Sequence, residues 1–279
     1  MLNSSFFPVI DPQDFSYVTN KLREFFLRRG YKEAHTQNII SILAACEDPF
    51  NISTFNYQGK TWPLPQTGQM NLEHFLLKQP ELPGLFCVST SYRNEKQPIE
   101  GRHCLVFPMF EFEFHGDMND LYQMELELLT YLGFTTKMTG EYLSIANEYG
   151  VKIIDNDVEG KLCTENNVSA FMLTHFPEYT NPFWNMKRNE NDTAQKIDVI
   201  LHGQETIGSA ERSCDKEQMR STFFSIEDGR YAEKLFDLFG YTRVLDELNE
   251  FLSNEFIPRV GGGIGITRLI RAMKLEGLM

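Results

Sequence analysis

Apolar residues recur at helical spacing near the start of the chain. Phe15, Val18, Leu22, Phe25 and Phe26 share one face of a helix expected over residues 12–29. The basic pair Arg28 and Arg29 followed by Gly30 has the composition of a helix C-terminus. A second helix is expected over residues 119–132, with Asp117 as its cap and Leu121, Met124, Leu128 and Leu132 as its stripe. Residues 140–150, 230–253 and 266–275 are also helix-compatible. Strands are expected over residues 85–92, 105–114, 170–175 and 196–202, and a loop over the Asn-, Lys- and Glu-rich residues 184–193. There is no internal repeat. Such patterning suits an α+β fold, an antiparallel sheet with helices on one side.

Two segments carry candidate chemistry. In residues 105–114 the side chains alternate, so Phe107, Met109, Glu111 and Glu113 share one face while Phe110, Phe112 and Phe114 share the other. The aromatic face suits burial against helices. The strand over residues 85–92 runs into Arg93 and Glu95, and a polar loop with Lys96, Arg102 and His103 separates it from residues 105–114. The second segment places Gly261, Gly262, Gly263 and Gly265 ahead of the helix-compatible run that carries Arg268. Glycines at such a density read equally as a hinge or as backbone bared for a ligand. No Gly-Lys-Ser/Thr follows, so this is not a P-loop, and the glycine spacing does not fit a dinucleotide fingerprint.

Together these segments resemble motifs 2 and 3 of class II aminoacyl-tRNA synthetases, most closely the aspartyl, asparaginyl and lysyl subgroup. Residues 21–33 resemble its motif 1 helix and turn, residues 65–73 its amino-acid-side loop, and residues 176–183 and 198–212 the stretch before motif 3. The similarity runs from about residue 15 to residue 274 in the family's order. It implies a class II synthetase-type antiparallel β-sheet flanked by helices, in one domain over residues 1–279, and ATP with Mg²⁺ as ligands.

The resemblance also implies roles. Arg93 would bridge the substrate carboxylate and the α-phosphate, a task suited to a fixed, permanently charged fork. Glu95, Arg102 and His103 would hold ATP, and Phe107 and Arg268 would sandwich its adenine. Asp198 and Glu205 would coordinate Mg²⁺, which takes one or two carboxylates plus phosphate oxygens. Gln69 and Glu111 would hold the α-amino group, and Arg212 would read a side-chain oxygen. In an unbroken strand Glu205 and Arg212 lie on opposite faces, which a bulge at Gly208 would correct. Three positions depart from the family: Leu72 replaces the lysine of aspartate-specific members, Val106 a glutamate, and Gln37 the motif 1 proline.

Composition narrows the partners. The 279 residues carry 26 Lys and Arg against 39 Asp and Glu, a net charge of −13, which opposes polyanion binding. A strip of Arg188, Arg220 and Arg243 is the alternative by which an acceptor stem of tRNA would dock. About twenty residues precede the motif 1 helix and turn, so no anticodon-binding barrel is expected there. Cys46, Cys87, Cys104, Cys163 and Cys214 form no Cys-x-x-Cys pair, and no apolar run approaches a membrane span or signal peptide. The expected protein is a cytoplasmic homodimer with no membrane role. It would be an AMP-forming ligase that activates an aspartate- or asparagine-like amino acid for a non-tRNA acceptor such as ammonia, as in the asparagine-forming paralogues of this subgroup. Two alternatives stand: a minimal aminoacyl-tRNA ligase, and a non-catalytic amino-acid-binding module.

Overall fold

Asp11 accepts a hydrogen bond from Gln13 N at 2.8 Å and Pro12 takes the first helical position, so α1 (Pro12–Arg28) starts where its sequence places it. The computed structural model describes residues 6–7, 9–37, 39–43 and 50–279; Cys46 lies outside them. After β1 (Lys32–Glu33) comes a hairpin of β2 (Thr54–Tyr57) and β3 (Lys60–Pro63). Then follow α2 (Gln69–Lys78), β4 (Gly84–Tyr92), β5 (Val106–His115) and α3 (Met118–Leu132). Asp117 and Asp120 form a reciprocal capping box at the start of α3. The middle of the chain forms β6 (Lys137–Glu141), α4 (Tyr142–Glu148), α5 (Asn156–Glu165), β7 (Ala170–Pro177), β8 (Thr193–Leu201) and β9 (Gln204–Glu211). The end forms α6 (Lys216–Ser225), α7 (Arg230–Phe239), α8 (Tyr241–Leu252), β10 (Arg259–Gly265) and α9 (Ile266–Leu275).

Eight strands make one sheet in the order β1-β4-β5-β10-β9-β8-β7-β6. Its centre is antiparallel, but β1 pairs parallel with β4 and β6 parallel with β7, so the sheet is mixed. Residues 140–150 are not all helix, because Gly140 and Glu141 close β6 before α4 begins. Residues 230–253 are two helices, broken at Gly240 with φ 90°.

Helices cover both sheet faces, not one. On one face α1, α3 and α9 pack on Phe86, Phe110, Phe112, Phe114, Val260 and Ile264, with Phe26 of α1 stacked on Phe112 at 5.3 Å. On the other, α2 covers Leu85 and Cys87, α4 and α5 cover Phe171, Leu173 and Ile200, and α6 to α8 enclose Trp184 and Ala210. A gap remains over the middle of β5, β10 and β9. That gap is the candidate site. No helix among the described residues is long and apolar enough to cross a membrane.

One carboxyl lies in the apolar layer. Glu125 of α3 is fully buried; Ser209 Oγ donates to its Oε1 at 2.6 Å, and Oε2 has no partner. Burial pushes its pKa to about 8, with Asp198 adding to the rise and the Ser209 bond opposing it. The folded value exceeds the roughly 4.3 of an unfolded glutamate, so folding retains a proton that the unfolded chain loses. No penalty exists below that value, and it grows as pH rises towards 8. Glu125→Gln is therefore expected to stabilise the fold by on the order of a few kcal/mol at pH 8 and by much less at pH 5.5. Urea melts at the two pH values check this, and an equal effect at both would contradict it.

Candidate active site

The floor of the gap is backbone. On the site face β10 presents Gly261, Gly263 and Gly265 beside Glu113, Glu111 and Met109 of β5. A Cβ at Gly261 would lie 1.6 Å from Glu113 Oε2, and one at Gly263 would lie 2.7 Å from the terminal methyl of Met109. Side chains of β5 lean across the strand into volume that only glycine leaves open. The glycine run is thus neither a hinge nor a turn.

Under α2 this face holds a buried ion network. Glu113 accepts from Arg212 Nε at 3.2 Å and from Nη2 at 3.1 Å. Glu73 of α2 accepts from Arg259 Nε at 3.1 Å and Nη2 at 2.9 Å, and lies 3.6 Å from Arg212 Nε. Asn185 donates to Glu73 at 2.6 Å, and Arg212 Nη2 donates to Gln69 Oε1 at 3.3 Å. All four charged side chains are at most 1% exposed. Burial pushes the Glu113 carboxyl above the usual carboxylate range, and the Arg212 guanidinium opposes the rise. Removing either partner would leave a buried unpaired charge.

Above the floor lies a cleft lined by Gln69, Arg93, Glu95, Arg102, His103, Phe107, Glu205 and Arg268. Eight of the expected site residues are therefore together. Arg93 lies 5.6 Å from the Phe107 ring centroid and 3.5 Å from Glu95, while its buried Nε has no partner. Glu95 Oε2 also sits 2.6 Å from His103 Nδ1. Arg268 Nη1 donates to the Glu205 carbonyl at 2.7 Å and lies 3.8 Å from that residue's carboxylate.

Three expected residues are elsewhere. Arg212 and Glu111 are fully buried and do not line the cleft. Glu111 accepts from Thr67 Oγ1, Ser89 Oγ and Gly68 N, and burial raises its pKa against those bonds. Asp198 lines an adjoining cavity with Tyr142, Phe176 and Glu159. It accepts from Lys196 Nζ at 2.7 Å, and its Oδ1 is buried without a partner. Burial raises its pKa, Lys196 opposes the rise and Glu205 adds to it.

The bulge expected at Gly208 sits at Thr206 instead. Pairing passes from Val199–Ile207 to Ile200–Glu205, so Thr206 is the extra residue and Glu205 shares the face of Gly208 and Asp198.

Sequence reasoning missed α5. Arg102 donates to Asn156 Oδ1 at 2.7 Å, to the Gly203 carbonyl at 3.3 Å and to Glu159. The signal was present: Asp155 caps α5 by accepting from Asp157 N and Val158 N, with Asp157 and Glu159 in the first turn. Burial, with the nearby Glu205, raises the Glu159 pKa against Arg102.

The floor generates a paired prediction. Gly261→Ala would displace the Glu113 carboxylate from Arg212 and is expected to cost about 3–5 kcal/mol. At Gly265 the nearest atoms to a new Cβ are 3.6 Å away on the Arg268 side chain, so Gly265→Ala is expected to melt close to wild type. Equal destabilisation of the two in urea melts would contradict this account of the floor.

The family model for class II tRNA synthetases (D, K and N) matches residues 13–276. Searching curated proteins by sequence gives no significant match. The fold is similar to that of asparaginyl-tRNA synthetase from Pyrococcus horikoshii complexed with asparaginyl-adenylate, with TM-score 0.76 and 18% identity over 96% of this chain and 65% of that one. It is also similar to asparaginyl-tRNA synthetase from Entamoeba histolytica, with TM-score 0.70 and 18% identity over 95% of this chain and 64% of that one. Aspartyl-tRNA synthetase from the same organism gives TM-score 0.69 and 18% identity over 97% and 55%. This chain thus spans less than two thirds of the length of those proteins. With residues 13–276 matched, the chain belongs to the class II tRNA synthetases of the D, K and N group.

Proposed function

We propose that the protein is an ATP-dependent, AMP-forming ligase that activates a small amino acid and passes its acyl group to an acceptor other than tRNA. The observation that carries this reading is the convergence of Arg93, Arg102, His103 and Arg268 with Phe107 and Glu205 on one glycine-floored cleft. Arg93, with a buried Nε lacking a partner, is an underused cation. In the proposed step a substrate carboxylate oxygen attacks the α-phosphorus of ATP. A C–O–P linkage forms, the bond to the β-phosphate oxygen breaks, and pyrophosphate leaves with its electron pair. Arg93 offsets the charge that gathers on the α-phosphate, and Phe107 and Arg268 hold the base. Placement and charge carry the step, with no side-chain nucleophile.

The donor set fits a hard cation. Asp198 and Glu205 share the site face, and Asp198 Oδ1 is buried without a partner. Among the described residues no group of three or more His, Cys, Asp or Glu is placed to hold a metal. Mg²⁺ would therefore complete its shell from phosphate and water, and when bound it would neutralise phosphate charge.

A net charge of −13 disfavours tRNA as the acceptor. The arginines of the proposed docking strip also have internal work. Arg188 is held by Glu178 and the carbonyls of Pro182, Phe183 and Met186. Arg220 donates to Asn249, and Arg243 donates to the Thr61 carbonyl and lies 4.5 Å from the Trp62 ring centroid.

Arg93→Ala is expected to lower amino-acid-dependent ATP–pyrophosphate exchange at least ~100-fold with an unchanged melting temperature. Exchange within a few-fold of wild type would remove Arg93 from the reaction. With labelled amino acid and ATP, added ammonium is expected to raise AMP release and give an amide product. Nuclease-sensitive label on tRNA at turnover rates would contradict the proposed acceptor.

A further inference from the structure

We propose that Glu159 of α5 competes with the outer phosphates of ATP for the Arg102 fork, and that the adjoining cavity receives its carboxylate when the phosphates win. This inference rests on the nucleotide site proposed above. Arg102 is the most heavily engaged cation of the cleft's charged end. Its Nε donates to Asn156 Oδ1 at 2.7 Å, Nη1 to the Gly203 carbonyl at 3.3 Å and Nη2 to the Glu159 carboxylate. Arg102 and Glu159 side chains are each 18% exposed, so water and salt screen the pair less than a surface pair. Carboxylate and phosphate oxygens suit the same fork, and at Nη2 one excludes the other.

Charge balance singles out Glu159. Arg93, Arg102 and Arg268 face Glu95, Glu159 and Glu205 respectively, with His103 beside Glu95. Three guanidinium groups thus meet three carboxylates, and Lys196 with Asp198 forms a further pair next door. A polyanion gains a net cation there once one carboxylate withdraws. Glu95 lies 3.5 Å from Arg93 and Glu205 lies 3.8 Å from Arg268, whereas Glu159 sits closer to its guanidinium than either.

The exchange is a side-chain movement on fixed backbones. Leu162 and Cys163 anchor α5 in the cluster that holds Phe171 and Ile200. A Cβ at Gly203 would lie 2.9 Å from Gly160 Cα, so the α5 backbone rests directly on the turn between β8 and β9. Gln204 Nε2 donates to the Arg102 carbonyl at 3.0 Å and holds that backbone as well. The adjoining cavity, about 360 Å³ in volume, is lined by Glu159 itself, Tyr142, Lys196 and Asp198 among others. Asp198 would repel an incoming carboxylate, and Lys196 at 2.7 Å offsets that charge. The Tyr142 hydroxyl accepts from Ile154 N at 2.8 Å, and no acceptor for its own proton is found among the described residues. A swung Glu159 carboxylate therefore has both a cation and a hydroxyl donor on the walls around it.

An internal competitor lowers apparent affinity by the fraction of molecules whose fork is free. The test is calorimetry with ATP and with AMP, each in magnesium chloride, on wild type, Glu159→Gln and Asn156→Asp. Glu159→Gln keeps the shape and removes the competing charge. It is expected to tighten ATP binding at least ~10-fold and to leave AMP, which lacks the outer phosphates, within about twofold. Asn156→Asp sets a second carboxylate on Arg102 Nε and is expected to weaken ATP binding at least ~10-fold, with AMP again within about twofold. It carries the test alone should Glu159→Gln fail to fold. ATP affinity unmoved or weakened in a folded Glu159→Gln, or unmoved in Asn156→Asp, would overturn this inference and leave the nucleotide site standing. Equal shifts for ATP and AMP would overturn it too. No ATP binding by wild type would overturn the nucleotide site itself, and this inference with it.

Discussion

A charge removed from water must be paired, and two arginines with Glu113 of β5 and Glu73 of α2 satisfy that rule in one closed set. The rest of the site is arranged around that set. Gly261 carries no side chain because the Glu113 carboxylate fills its space. The Arg212 and Arg259 side chains tie the end of β9 and the start of β10 to α2, which fixes the α2 end of the cleft. The bulge at Thr206 then turns Glu205 up beside Asp198 and Gly208. Rigidity beneath the cleft comes from geometry that tolerates little change.

Above that base, the electrostatics of the cleft have two regimes. One end is charged; there Arg93 has a 3.5 Å contact with Glu95, and Arg268 donates to the Glu205 carbonyl at 2.7 Å. Arg102 differs, since Glu159, Asn156 and the Gly203 carbonyl occupy it. A triphosphate placed there would exchange Glu159 for phosphate oxygens, since carboxylate and phosphate suit the same fork. At the other end Arg212 and Arg259 are paired with Glu113 and Glu73, and Glu111 is held by Thr67, Ser89 and Gly68 N.

Periodicity exposed what depends on neighbours along the chain. The Phe and Glu faces of β5, the capped start of α3 and the span of α9 were legible because each is set within a few residues. The cleft residues Arg93, Phe107, Glu205 and Arg268 were legible as motif positions. The network was not. Arg212 and Glu113 are 99 residues apart, and Arg259 and Glu73 are 186 apart, so no local pattern shows these pairings. Helix α2 escaped notice because Gly68 precedes it without a side-chain cap. The bulge was foreseen from the need to share a face, but its place was set by the pairing of β8 with β9.

The central claim is that a carboxylate attacks the α-phosphate of ATP in this cleft. It is tested most directly by supplying the best exchange substrate with ¹⁸O in its carboxylate and weighing the products by mass spectrometry. The account predicts that, on acyl transfer to an amine, AMP acquires one ¹⁸O atom and pyrophosphate none. Label in inorganic phosphate, or AMP formed without label, would contradict it.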